Sequence, residues 1–183
     1  QDGPWVWYHE NGQLQQTGTV KDGERDGPWV AYDDNGQLKW KGTYNNRQKK
    51  GPWVWYHENG QLAKKGTFKG GQREGSWVWY GENGQLRSKG PYKDGRKDGA
   101  WVWYYDHGKL EWTGTYHEGK KDGPWLVYDN NGQLKSEGTY KDGKREGDWV
   151  FLEKGGTKRM DPDKRGDTGD EGSGAYKNGK RVD

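Results

Sequence analysis

The chain repeats itself every 24 residues. Gly3, Gly27, Gly51, Gly75, Gly99, Gly123 and Gly147 open seven copies of one unit, and Trp5, Trp29, Trp53, Trp77, Trp101, Trp125 and Trp149 keep the same beat. A fixed period with no insertion through six copies specifies an array of small units that bury surface against their neighbours. The reading is one repeat domain over residues 1–183. Its seventh unit, 147–183, is broken by an insertion at about 157–173.

Each unit carries two turn signals. Asn11-Gly12 lies between alternating aromatic runs and predicts a two-residue type I′ hairpin. It returns at Asn35-Gly36, Asn59-Gly60, Asn83-Gly84 and Asn131-Gly132, with His107-Gly108 as the variant. Asp22-Gly23 marks a second turn, repeated as Asp94-Gly95 and Asp142-Gly143. Two turns per unit mean two antiparallel strands per unit, so the fold class is all-β: a single-layer meander of about fourteen strands. Such a sheet would run about 65 Å and twist into a coiled ribbon or a groove, tryptophans inward. A β-solenoid with one coil per period is the alternative, though it has no use for hairpin turns.

The register can be tested within the sequence. Centring the first hairpin on Asn11-Gly12 sets Trp7 opposite Gln16 and Trp5 opposite Gly18. In the second unit the counterpart of Trp7 is Ala31, and the position opposite it is Trp40. In the fifth unit both places hold rings, Trp103 and Trp112. The ring crosses the hairpin to fill one space, as a directly opposed pair would allow. One face then carries Trp5, Trp7, Leu14, Gly18 and Val20, and the other Val6, Tyr8, Gln15, Thr17 and Thr19. The first face is expected to be the packed one, with each first-series tryptophan over the strand glycine it faces.

Composition limits the core. Only 27% of residues are hydrophobic, 33 are glycine, and 13 Trp with 12 Tyr supply most of the apolar area. Rings of this kind bury roughly 150–250 Å² each, enough for a thin sheet but not for a thick aliphatic interior. No apolar run reaches the length of a membrane span. Cysteine is absent, so there is no disulfide framework. Gln1 stands first rather than Met, which suggests a processed N-terminus and an extracellular or cell-surface location.

The pattern "DGPWVxYxxNGQLxxxGTYKDGKxDG" resembles the MORN repeat variant, found in proteins labelled YwqK-type antitoxins. The resemblance covers Gly3 to Gly155 and the closing "GAYKNGKR". It implies a β-repeat fold with protein–protein contacts, scaffolding and sometimes lipid surfaces. The second tryptophan series, at Trp7, Trp55, Trp79 and Trp103, is richer than that pattern.

Catalysis has no support, because an array spreads each residue along a line whereas an active site converges. His9, His57, His107 and His117 read as surface residues. Lys and Arg total 31 against 28 Asp and Glu, with no basic stripe evident, so nucleic acid is not an expected partner. Trp7, Trp40, Trp55, Trp79, Trp103 and Trp112 are the candidate partner or ligand face, glycan included. No cofactor is expected. The insertion carries Asp161, Asp163, Asp167, Asp170 and Glu171, which loosely resemble a calcium loop. Arg165 and Gly172 break the EF-hand spacing, so a solvated acidic loop is expected and calcium is the alternative. Finally, Trp5, Val6, Trp7 and Tyr8 form a full-strength first strand, and Ala175, Tyr176 and Lys177 a normal last one. Open sheet edges pair with other strands. The expected partner is therefore a second copy added head to tail into a fibre, or an unidentified protein.

Overall fold

A computed structural model describes residues 2–153, 157 and 173–182. The chain divides into two compact units, residues 1–96 and 97–183. The first contains β1 Gly3–Tyr8, β2 Leu14–Lys21, β3 Glu24–Tyr32, β4 Leu38–Asn45, β5 Gln48–Tyr56, β6 Leu62–Lys69, β7 Gln72–Tyr80 and β8 Leu86–Lys93. The two-residue β9, Arg96–Lys97, lies at the division. The second contains β10 Gly99–Tyr104, β11 Leu110–His117, β12 Lys120–Tyr128, β13 Leu134–Lys141, β14 Lys144–Phe151, β15 Gly174–Lys177 and β16 Lys180–Arg181. Within each unit every strand pairs antiparallel with the next in sequence, which makes an open meander. A solenoid would stack its coils in parallel, so that alternative falls. The described residues contain no helix.

The predicted register holds where it was tested. Trp5 pairs with Gly18 and Trp7 with Gln16. Ala31 pairs with Trp40, and Trp103 with Trp112. The turn that produces this register differs from expectation. The His9 N–H donates to Gln13 O at 2.8 Å and the Gly12 N–H to His9 O at 2.9 Å. Gly12 has φ 83°, while Glu10 and Asn11 stay out of the left-handed region. This is a three-residue loop, a type I turn closed by a left-handed glycine, rather than the two-residue type I′ turn. Asn11 accepts the Gln13 N–H through Oδ1, which steadies it.

The extra loop residue is cancelled by a bulge. Tyr8 pairs with Leu14 while Trp7 pairs with Gln16, leaving Gln15 unpaired. The two one-residue offsets restore the tryptophan register, but Leu14 moves to the side of Tyr8 rather than that of the tryptophans. The second turn is the true type I′: Asp22 and Gly23 have φ 51° and 77° and join directly paired Lys21 and Glu24.

In the seventh repeat Gly147 pairs with Tyr176 and Trp149 with Gly174. The first pair repeats Gly3 with Val20, so the strand rejoins the pattern beyond the insertion. The calcium candidates Asp161, Asp163, Asp167, Asp170 and Glu171 lie outside the described residues.

Candidate functional site: the tryptophan face

The face that carries Trp5 and Trp7 is built by one joint used repeatedly. Gly18 lies opposite Trp5 on one side and Trp29 on the other. The ring lying on Gly18 is that of Trp29: a Cβ at Gly18 would stand far inside contact distance of its indole. The expectation that Trp5 covers its own partner glycine is therefore corrected. The seat belongs to the following repeat. The Trp29 Nε1–H donates to Thr19 O at 3.0 Å, which helps to hold the ring across β2. Trp53 on Gly42, Trp77 on Gly66, Trp125 on Gly114 and Trp149 on Gly138 repeat the seat. In four of these five joints the indole donates to the threonine carbonyl of the preceding strand, as Trp53 does to Thr43 O and Trp149 to Thr139 O. Trp29 and Trp77 are wholly buried and Trp53 is 1% exposed, whereas Trp5 is only half-buried.

The second series fills the intervals. Trp55 stands between Trp53 at 5.5 Å and Trp77 at 5.8 Å. Trp7 likewise stands between Trp5 and Trp29. Trp40, the crossed ring, stacks on Trp53 at 5.3 Å. Trp79 lies 5.7 Å from Trp77. In the second unit Trp103 and Trp112 stack at 3.6 Å, and Trp112 continues onto Trp125 at 4.5 Å. These rings are half-buried and stack on or tilt against their neighbours. The structure brings all six predicted rings to one face of their units, but as members of two stacks rather than as separate flat platforms.

One row of residues on this face escaped the sequence reading. Arg25, Lys49 and Arg73 recur at the 24-residue period and lie over the rings at 4.5, 4.6 and 4.8 Å from Trp29, Trp53 and Trp77. Lys64, opposite Trp55, joins them at 4.8 Å from its ring. In the second unit Lys97, Lys121 and Arg145 occupy the same positions over Trp101, Trp125 and Trp149. Burial comes first in holding the Lys49 ammonium below the usual lysine pKa, followed by the positive charges of Lys64, Arg73 and Arg25. Burial likewise lowers Lys64, with Arg73 adding to it.

The two rows of turns are tied between repeats. At the type I turns, His9 Nε2 meets Tyr32 O at 3.2 Å and His57 Nε2 meets Tyr80 O at 3.0 Å. His107 Nε2 meets Asn130 O at 2.7 Å, and Asn11 donates through Nδ2 to Asp34 O at 2.7 Å. These histidines are struts between repeats rather than free surface groups. At the type I′ turns, an acid of one repeat accepts a turn N–H of the next: Glu74 from Asp94, Asp98 from Glu118, Asp122 from Asp142.

Of the two strands predicted as edges, only the first is one among the described residues, because β15 lies between β14 and β16. Trp5, Val6, Trp7 and Tyr8 lie on β1, which among the described residues pairs with β2 alone. Val6 is 45% and Tyr8 63% exposed. Ala175, Tyr176 and Lys177 lie on β15, and Tyr176 and Lys177 pair with the short β16.

A model of the MORN repeat variant matches residues 1–22, 25–46, 49–69, 73–94, 97–118 and 121–142. The interrupted seventh copy falls outside these matches. Among curated proteins none matches the sequence. The six matches cover more than half of the chain, in phase with the ring-on-glycine joint, and the chain therefore belongs to the MORN repeat variant family.

Proposed function

We propose that this structural and interaction repeat protein is a non-catalytic scaffold that extends by strand addition, with a second copy of the chain as its partner. The observation that carries this reading is the burial of Trp5. Trp29, Trp53 and Trp77 are covered by the glycine seat of a preceding strand, and Trp5 remains half-buried. A glycine in the same seat position stands at the other end of the described chain. Gly174 occupies the seat position, opposite Trp149 as Gly18 is opposite Trp5. Arg181 stands where Arg25 stands in its repeat, paired with Tyr176 as Arg25 is with Val20.

Ala175, Tyr176 and Lys177 are already bordered by Val182 and β16, so the strand Pro4 to Tyr8 of another copy would continue beyond that border, laying Trp5 on Gly174 with Arg181 above it. Two different surfaces meet in such a contact, so it propagates instead of closing a dimer. Light scattering of the 183-residue chain should show mass growing with concentration, and Trp5→Ala and Gly174→Val should each return it to a monomer. A strict monomer at high concentration, with β1 and β15 exchanging their amides freely, would refute the proposal. A glycan held against the exposed parts of Trp7, Trp55 and Trp79 is the second reading, favoured by their half-burial. Quenching of tryptophan fluorescence by a polysaccharide tests it.

A further inference from the structure

We propose that the tryptophan face of the first unit is a binding stripe for an acidic polysaccharide. Apart from Lys39 and Arg87, which stand unpaired at the bulges, alternation along the strands sorts the charged strand residues of residues 1–96 onto one face or the other. Arg25, Lys49, Lys64 and Arg73 fall on the tryptophan face, and no aspartate or glutamate does. The opposite face mixes its signs, with Asp26 and Glu74 paired to Thr19 and Thr67 there, alongside Lys41, Lys65 and Lys89. Among the described residues none of the four cations of the tryptophan face is in an ion pair. Arg25 is held by Gln16 Oε1 at 3.0 Å and Tyr44 Oη at 3.3 Å, and Arg73 by Tyr92 Oη at 2.9 Å. The depressed Lys49 reflects this uncompensated repulsion after burial.

A row of fixed positive charges with no countercharge calls for a linear polyanion. Its period selects the kind. One repeat is two strand spacings, about 9.6 Å, which is about the length of two linked sugar rings. A stiff chain of sugars with an acidic group on every second ring keeps step with Arg25, Lys49 and Arg73, and its C–H edges meet the exposed parts of Trp7, Trp55 and Trp79. Single-stranded nucleic acid binds by stacking bases on open ring faces. Here those faces are taken by neighbouring rings and by the cations themselves.

Titrating the full chain with hyaluronate, whose rings are alternately acidic and neutral, tests the stripe, with dextran as the uncharged arm. Single-stranded DNA and phosphatidylserine–phosphatidylcholine vesicles serve as other polyanions. The expected result is saturable binding of hyaluronate that weakens as salt rises, and no binding of dextran. Replacing Arg25, Lys49, Lys64 and Arg73 together by Gln should weaken it about tenfold. The triple variant Lys41→Gln, Lys65→Gln, Lys89→Gln should bind like the parent. Near-ultraviolet circular dichroism reports whether the ring stack survives. If it does not, Lys64→Gln alone, at a position that holds Gln16 and Ser88 in other repeats, should still weaken binding about twofold. The proposal is overturned by no binding, by an equal loss in the opposite-face variant, or by DNA or vesicles binding as tightly.

Discussion

Trp77 and Trp79 sit two residues apart on β7, on the same face, and occupy different worlds. Trp77 is wholly buried, seated on Gly66, bonded to Thr67 O and covered by Arg73. Trp79 is half-buried and leans on Trp77 and Tyr92. The inner row holds one repeat to the next, and the outer row fills what is left. The variation along the chain follows that division. Every repeat keeps a tryptophan in the inner row, whereas the outer position reads Trp7, Ala31, Trp55, Trp79, Trp103, Val127 and Phe151. A joint with one shape tolerates one residue, and a filler tolerates anything that occupies the volume.

The sharpest way to break this contrast is to block a seat. Gly66→Val places a branched side chain where the Trp77 ring lies, and the first unit should lose about 4 kcal/mol or more, measured by denaturant unfolding. Next come the rings themselves. Trp77→Ala should cost about 3–5 kcal/mol and Trp79→Ala about 1–3 kcal/mol, since only the first leaves a closed cavity. Equal losses would dissolve the distinction between the rows. The smallest effect belongs to a swap. Trp40→Gln alone should destabilise, and adding Ala31→Trp should recover stability to within about 1 kcal/mol of the parent. A double variant no better than the single one would mean that Trp40 is not interchangeable with the outer ring it replaces.

Much of this was readable in the residues. The period fixed the repeat, and the exchange of a ring between positions 31 and 40 fixed the pairing, because directly opposite residues share a side. The turn chemistry was only half readable. An Asn-Gly pair suits both a two-residue I′ turn and a three-residue loop with a left-handed glycine. The choice rests on the unpaired Gln15, which has no distinct side-chain signature. The seat was ambiguous for a geometric reason: Gly18 faces a tryptophan on each side, and pairing alone does not say which ring, Trp5 or the Trp29 bonded to Thr19 O, lies on it. The cation row was present in the sequence at a constant spacing. It was missed because whole-chain charge balance hides how the two signs separate between faces.

The ring-on-glycine joint has a kinetic consequence as well. In the first unit the indole and the carbonyl it bonds are 10 residues apart, and the struts at the type I turns span 23. All-β proteins usually fold slowly because their strands must find partners across long stretches of chain. Here each completed repeat offers a finished template to the residues emerging next, so ordering can spread along the chain as fast as a hairpin closes. Stopped-flow refolding of the chain should therefore run closer to the pace of helical proteins than of β-sandwiches. A sheet assembled this way needs no search for its far end.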